Sequence, residues 1–264
     1  MFPNNQWNVV TANLIMPVRY EYGCIWGLTL QYHPAIKRQA VFAGDALNLF
    51  LGSRASGNAQ EERVWRNILA LKRGPIRYRR NRIIVNEGDP ADYVFLVVSG
   101  VVRSCKVFQN GTRSIIAFHM PGELFGWTAE ATHRVSIEAA SHAVILFIKR
   151  SALLATVAHN AAIANFLLAS TANELKRVQD RSLMIARDAK CRLASFLTDL
   201  AARTGQSDQV DLPMTYNDIA DYLGLTIETV SRTMNEFERS GSIARRSCRA
   251  LVLNYPASLA KMLN

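Results

Sequence analysis

Glu228, Ser231 and Arg232 are the side chains whose types and spacing fit one definable chemistry. Arginine can donate two parallel hydrogen bonds to the edge of guanine, and glutamate can accept one from the amino group of cytosine. Residues three and four apart share a helix face, so the three would work side by side, with Thr226 and Thr229 in support. They stand just behind a helix start, the end that a recognition helix pushes into the major groove. Such a group could read the edges of DNA bases.

Positioning that group takes two short helices and a tight turn, and the run from Thr215 to Gly241 supplies them. Thr215 can cap the first helix, with Asp218 three residues on to complete a reciprocal capping box. Ile219, Ala220 and Leu223 face inward, Gly224 permits the turn, Leu225 plugs the gap between the helices, and Thr226 can cap the second helix. Ile227, Val230, Met234 and Phe237 then recur at helical spacing as its inward face. An ordinary capped helix pair with solvated charges would share this outline. The residues themselves, from Leu225 to Ile243, are far less generic.

There the chain resembles the bacterial CRP/FNR transcription regulators, the superfamily of the cyclic-AMP receptor protein and the oxygen regulator, and within it the FixK-like branch. The Glu-x-x-Ser-Arg pattern of that branch is met by Glu228, Ser231 and Arg232. The resemblance implies half-sites of the TTGAT type, arranged as an inverted repeat with ATCAA. Arg232 would read guanine, Glu228 would accept from cytosine on the opposite strand, and Ser231 would discriminate the outer thymine. The cyclic-AMP receptor branch has Arg-Glu-x-x-Gly-Arg instead; Ile227 and Ser231 stand at its first and fifth-place counterparts here, which favours TTGAT over TGTGA. The family also implies a homodimer and activation by recruiting RNA polymerase. FixK-like members typically serve low-oxygen respiration, denitrification or nitrogen fixation, often without a small-molecule effector.

Composition is compatible with a two-domain regulator: 264 residues with 49% hydrophobic content can fill two cores. No run reaches the roughly 18 to 20 apolar residues of a membrane span, so no membrane partner is expected. The opening also lacks the pattern of a secretory signal, which points to the cytoplasm. The net charge of +10 favours a polyanionic partner such as double-stranded DNA. That charge is not piled on the reader, since Arg187 onward holds 10 Lys and Arg against 9 Asp and Glu. Asp199, Asp208, Asp211, Asp218 and Asp221 precede the reading helix, whereas Arg245, Arg246 and Arg249 follow it as a candidate basic wing. A second run, Lys72 to Arg82, has six cations and no acid. It reads as an exposed strand and turn, or as a surface for flanking DNA of the kind the superfamily presents.

The expected fold is α+β: a β jelly-roll sensor of the cyclic-nucleotide-binding type, a long dimerisation helix, and a C-terminal winged helix-turn-helix. Residues 1–60 show no sustained period and include a linker-like stretch at 52–58, so they are expected to be an extension with partial disorder. Residues 61–150 hold short β-rich runs around Ile83, Tyr93, Val101, Ser114 and Ala143, broken at Glu87-Gly-Asp-Pro, Ser99-Gly, Asn110-Gly and Pro121-Gly. Asn110-Gly111 is a strong hairpin signal. From 151 to 187 there is neither Pro nor Gly. Leu168, Thr171, Leu175, Val178, Ser182 and Ile185 are spaced alternately three and four, as in a coiled-coil seam, and residues 188–264 complete the reader.

The resemblance also indicates where an effector would bind. Cyclic-AMP binders place an Arg-Ser pair after the Gly-Glu-Leu met here by Gly122 to Leu124, and that offset lands on His133-Arg134; the base-contacting Thr-Ser pair appears as Arg177-Val178. No small-molecule effector is therefore expected, with a nucleotide-responsive regulator as the alternative. No cofactor is expected either. Cys24, Cys105, Cys191 and Cys248 are 57 to 86 residues apart, too scattered for a cluster or zinc site. His119, His133 and His142 read as structural or solvated. Cys191, beside Lys190 and Arg192, and Cys248, beside Arg246 and Arg249, are candidate redox thiols, because neighbouring cations promote the thiolate. A repressor of the same fold and a cyclic-nucleotide-binding regulatory module are the remaining alternatives. No nucleophile motif, phosphate-cradling loop or metal spacing points to an enzyme.

Overall fold

The computed structural model describes residues 59–204, 209–247 and 249–254, together with four short strands nearer the N-terminus. Those strands form two ribbons, β1 (Val18–Tyr20) with β2 (Gly23–Ile25) and β3 (Leu28–Thr29) with β4 (Ala40–Val41), in a unit of their own spanning Met1–Leu49. The rest of the stretch expected to be partly disordered, including the linker at 52–58, lies outside the described residues.

Helix α1 (Ala59–Ala70) opens the second unit. Val64, Trp65, Ile68 and Leu69 recur at helical spacing and are buried, and the Trp65 ring meets Phe166 edge-on at 4.9 Å. Eight strands follow, from β5 (Lys72–Tyr78) through β6 (Ile83–Val85), β7 (Tyr93–Ser99), β8 (Val102–Val107), β9 (Arg113–His119), β10 (Leu124–Phe125) and β11 (Ser136–Ala139) to β12 (Ala143–Lys149). They make two antiparallel sheets in the orders β10-β7-β12-β5 and β6-β11-β8-β9. This is the expected jelly-roll. The Asn110-Gly111 signal holds: Gly111 sits at φ 77° and the turn closes with Phe108 N–H donating to Thr112 O at 2.9 Å. The basic run at Lys72 to Arg82 supplies β5, an edge strand paired only with β12, and charge on an edge discourages pairing with another chain.

The expected single helix from 151 to 187 is two helices. Asn160 ends α2 (Arg150–His159) in an extended conformation and caps α3 (Ala161–Met184), its side-chain oxygen accepting the N–H groups of Ala162 and Ile163. A side chain that can bond the backbone twice gives the chain an alternative to continuous helix, and the break needs neither Pro nor Gly. Helix α4 (Ala189–Thr204) then leads into the reader. There α5 (Tyr216–Leu223) and α6 (Ile227–Arg239) stand against the sheet β13-β15-β14, made from β13 (Gln209–Asp211), β14 (Ile243–Arg245) and β15 (Ala250–Leu253). The apolar core of the reader runs on into the sensor. Val101, Cys105, Ile115, Phe118 and Met120 belong to the same buried cluster as Leu193, Ile219, Met234 and Phe237.

Candidate nucleic-acid interface

Both helix starts in the reader form as the residues demand. Thr215 Oγ1 accepts from Asp218 N–H at 3.1 Å, and Thr215 N–H donates to Asp218 Oδ2 at 3.0 Å, a closed capping box. Gly224 adopts the left-handed conformation at φ 63° that lets α5 end and the chain turn at once. Thr226 then caps α6, accepting from Thr229 N–H at 3.2 Å. Its hydroxyl also lies 3.1 Å from that of Thr229, so these two threonines organise the helix start rather than standing free as donors.

Helix α6 buries Val230, Thr233, Met234 and Phe237. Ile227 departs from expectation: it is 43% exposed, because it occupies the first turn, where the helix projects past the core that Val230 enters. With Glu228, Ser231, Arg232, Asn235 and Arg239 it lines an open hollow of about 440 Å³ on the outer face. The three base-reading candidates are therefore brought together as the spacing implied. Asn235 and Arg239 continue the same stripe at positions seven and eleven after Glu228. That periodicity was available in the sequence and was not used.

Arg232 is exposed and makes no side-chain hydrogen bond or ion pair with the described residues, although its charge contributes to lowering the pKa of Glu236 one turn on. Glu228 is held below the usual carboxylate range by hydrogen bonds from its own backbone N–H and from Thr226, which keeps it an ionised acceptor. The wing is less uniform. Arg245 is tied back to the reading helix, with Nη2 donating to Asn235 Oδ1 at 2.8 Å and Nη1 3.1 Å from Glu238 Oε2. Arg246 and Arg249 are exposed in the β14–β15 turn. Arg80 from the sensor approaches the same edge, bonded to Pro213 O at 3.1 Å, and the nearby positive charge of Arg249 adds to burial in lowering its pKa.

Three of the five acids that precede the reading helix are taken up by arginines. Asp218 is 2% exposed and pairs with Arg103 and Arg113 of the sensor, Asp221 pairs with Arg113, and Asp199 pairs with Arg203. Asp208 lies outside the described residues.

The seam proposed for dimerisation lies on one exposed side of α3 and its C-terminal cap. Leu168, Thr171, Leu175, Val178, Ser182 and Ile185 are all exposed, with Leu168 at 70% and Ile185 at 58%. In the sensor, His133 is buried beside the Phe95 ring, whereas Arg134 is 75% exposed and paired with Glu130 at 3.5 Å. Glu123 is taken up by Arg203, with bonds of 3.0 and 2.7 Å, and lies 3.7 Å from Arg177. Arg177 also binds Glu174. His119 is fully buried, bonded to Ser104 Oγ at 2.8 Å and stacked on Phe125, and burial pushes its pKa down to about 4.

The electrostatic premise for a reactive Cys191 fails. Lys190 is paired with Glu236 at 2.8 Å, and Arg192 spends its guanidinium on the carbonyl oxygens of Ile185, Arg187, Leu223 and Gly224. Partial burial and the Asp188 carboxylate raise the thiol pKa instead of lowering it. Cys248 lies outside the described residues. Cys105 is buried and pushed up to about 11.

Comparison with known proteins finds two family domains in the chain. Residues 75–160 match the cyclic nucleotide-binding domain and residues 191–262 the Crp-like helix-turn-helix domain. The nitrogen fixation regulation protein FixK of Azorhizobium caulinodans is 40% identical over 201 residues, covering 74% of this chain and 81% of the relative. FixK of Rhizobium meliloti is 35% identical over 188 residues, covering 71% and 86%. The solved structure of FixK2 from Bradyrhizobium japonicum superposes with a TM-score of 0.68 at 37% identity, over 72% of this chain and 96% of that one.

Proposed function

The chain belongs to the CRP/FNR family of DNA-binding transcription regulators, on its FixK-like side, and from that premise we propose that it binds TTGAT-N4-ATCAA inverted repeats as a homodimer and activates transcription. The observation that carries this reading is the outer face of α6, where Glu228, Ser231 and an uncommitted Arg232 lie together behind a capped helix start. Arg232 donates to guanine O6 and N7, Glu228 accepts from cytosine N4 across the pair, and Ser231 contacts the outer thymine. Thr226 and Thr229 hold the helix start, and Arg246 and Arg249 meet phosphates, which position the protein without specifying sequence. Arg245 supports the reading helix through Asn235 and Glu238.

An inverted repeat requires two-fold symmetry, and the apolar stripe from Leu168 to Ile185 supports a parallel pairing of two α3 helices. RNA polymerase is the partner through which the bound dimer activates. The setting is low-oxygen or nitrogen-oxide-linked metabolism in the cytoplasm, in keeping with relatives named for the regulation of nitrogen fixation. Among the described residues no helix is long and apolar enough to cross a membrane.

Effector-free binding is supported by the same contacts that occupy the sensor. Glu123 is spent on Arg203 and Arg177, and the exposed Arg134 is paired with Glu130. Fluorescence anisotropy of the reduced protein on a TTGAT-N4-ATCAA duplex at stated salt, with and without cyclic AMP, tests the reading. Tight binding without nucleotide, lost on a scrambled duplex, is expected. Binding that appears only with nucleotide would replace it with a cyclic-nucleotide-responsive regulator.

A further inference from the structure

The reader is fastened to the sensor by ion pairs that DNA reading does not use. Arg103, on β8, is 4% exposed and donates to Asp218 Oδ1 at 2.8 Å while also binding Glu138 and Asn81. Arg113, on β9, donates to the same Asp218 oxygen at 2.9 Å and through Nε to Asp221 Oδ2 at 2.8 Å. Asp218 and Asp221 are on α5, so the β8–β9 hairpin grips the first helix of the helix-turn-helix from behind. A second tie runs the other way: Arg203 on α4 reaches Glu123 in the sensor turn and the carbonyl of Phe118. Between these points the rings of Phe118, Phe196 and Tyr222 pack with centroids 5.2 to 6.0 Å apart.

The sensor is fastened to the dimer helix as well. Trp65 packs on Phe166 of α3, and Arg181 of α3 donates to Ile116 O on β9 at 2.7 Å. The covalent route from α3 to α4, in contrast, is only the short stretch 185–188. Arg181 also lies over the Tyr222 ring of α5 at 4.4 Å, so the orientation of α6 relative to the dimer seam is set by this contact together with the ties through the sensor.

We propose that the β8–β9 hairpin makes the dimer selective for spacer length: by holding Asp218 and Asp221, Arg103 and Arg113 fix the separation and angle of the two reading helices. This rests on the dimeric, inverted-repeat reading above. The two half-sites must face successive major grooves, about one helical turn apart. One added base pair moves the second half-site by about 3.4 Å and turns it by about a tenth of a turn. A reader held rigidly cannot follow that displacement. A reader released by the hairpin, and joined through 185–188 and the Arg181–Tyr222 contact, can follow it further. The reading residues then specify the half-site, and the hairpin specifies the gap.

Arg113 is the residue to test, because it is a quarter exposed and its loss leaves Asp218 still paired with Arg103. The full-length protein and its Arg113→Ala, Arg113→Lys and Asp221→Asn variants are titrated by anisotropy on duplexes with spacers of three, four, five and six bases, and on a half-site duplex. Each variant is also checked by thermal melting. The wild type is expected to prefer four bases by about tenfold or more over its neighbours, a gap of roughly 1.4 kcal/mol or more. Arg113→Ala is expected to compress that preference to within a few-fold, with the base preference on the half-site unchanged. Arg113→Lys keeps the charge but loses the fork, and recovers the preference in part. Asp221→Asn falls on the same side as Arg113→Ala but is milder.

A folded Arg113→Ala protein that keeps the full wild-type preference overturns the hairpin's role and leaves the DNA-reading function standing. If Arg113→Ala does not fold, a folded Asp221→Asn protein with wild-type spacing preference overturns it equally. Failure of the wild type on every TTGAT duplex overturns the function and the spacing role together.

Discussion

Helices α5 and α6 start alike, each with a threonine cap, and each carries acids and polar groups along its length, yet they dispose of those groups in opposite ways. On α5, Asp218 closes the capping box and is then buried under two arginines of the sensor, and Asp221 takes the second arm of Arg113. On α6, Glu228, Ser231 and Arg232 stay at the surface, and Arg232 has no partner among the described residues. One helix spends its polar groups on holding the reader in place. The other leaves those of its first turns open to a ligand and pairs only its later ones, Asn235, Glu236 and Glu238, within the reader. Because a buried charge is costly without its partner, substitutions on α5 should appear as lost stability, and those on α6 as lost recognition.

The sharpest way to break this contrast is Asp218→Ala. It removes half of the capping box and leaves the buried Arg103 with Glu138 and Asn81, and breaking a buried pair costs about 3 to 5 kcal/mol. Denaturant unfolding should show that loss directly. Glu228→Ala, on the exposed face, should unfold close to wild type. Equal stability losses in the two variants would erase the distinction between the helices.

A buried polar group of the sensor extends the contrast to pH. His119 has its pKa lowered from 6.5 to about 4 by burial, so it stays neutral in the folded protein where the unfolded chain takes up a proton. The unfolded state therefore binds more protons between those values. Stability is full above pH 6.5 and falls as pH drops towards 4, by about 3 kcal/mol from this group. Comparing the wild type with His119→Gln across that window isolates the effect: the variant should lose less stability on acidification. Parallel pH profiles would show that His119 protonates without cost to the fold.

On α6 the expected loss is in recognition. Arg232→Ala should remove roughly 1 to 3 kcal/mol of discrimination at its guanine while leaving the melting temperature close to wild type. Competition with duplexes substituted at that base pair gives the measure. Undiminished preference for guanine would remove Arg232 from the reading set.

How much of this was legible follows from the range of each interaction. The caps at Thr215 and Thr226, the turn at Gly224 and the hairpin at Asn110-Gly111 are local, and residue type nearly determines them. The shared face of Glu228, Ser231 and Arg232 was equally legible, since helical spacing alone places them together. What remained hidden was non-local. The sequence assigned Asp218 to its capping box alone, because Arg103 and Arg113, its partners in the sensor, lie more than a hundred residues away. Cys191 looked activated because sequence adjacency puts Lys190 and Arg192 beside it, although both cations turn to partners on other elements. The break at Asn160 was missed for a different reason: a side chain, not a helix-breaking backbone, ends α2.

The smallest effect tests the wing, where two neighbouring arginines separate as α5 and α6 do. Arg245 is spent on Asn235 and Glu238, whereas Arg249 is exposed at the turn. A cation that meets a phosphate releases a counterion, so its removal weakens binding to all sequences and makes the dependence on salt shallower by about one contact per protomer. Arg249→Ala should show that reduced salt slope with base preference intact. Arg245→Ala should leave the slope nearly unchanged, because its guanidinium is already paired within the protein. Anisotropy titrations over a series of salt concentrations distinguish the two, and a slope that falls equally in both variants would mean that Arg245 leaves Glu238 for phosphate when DNA binds.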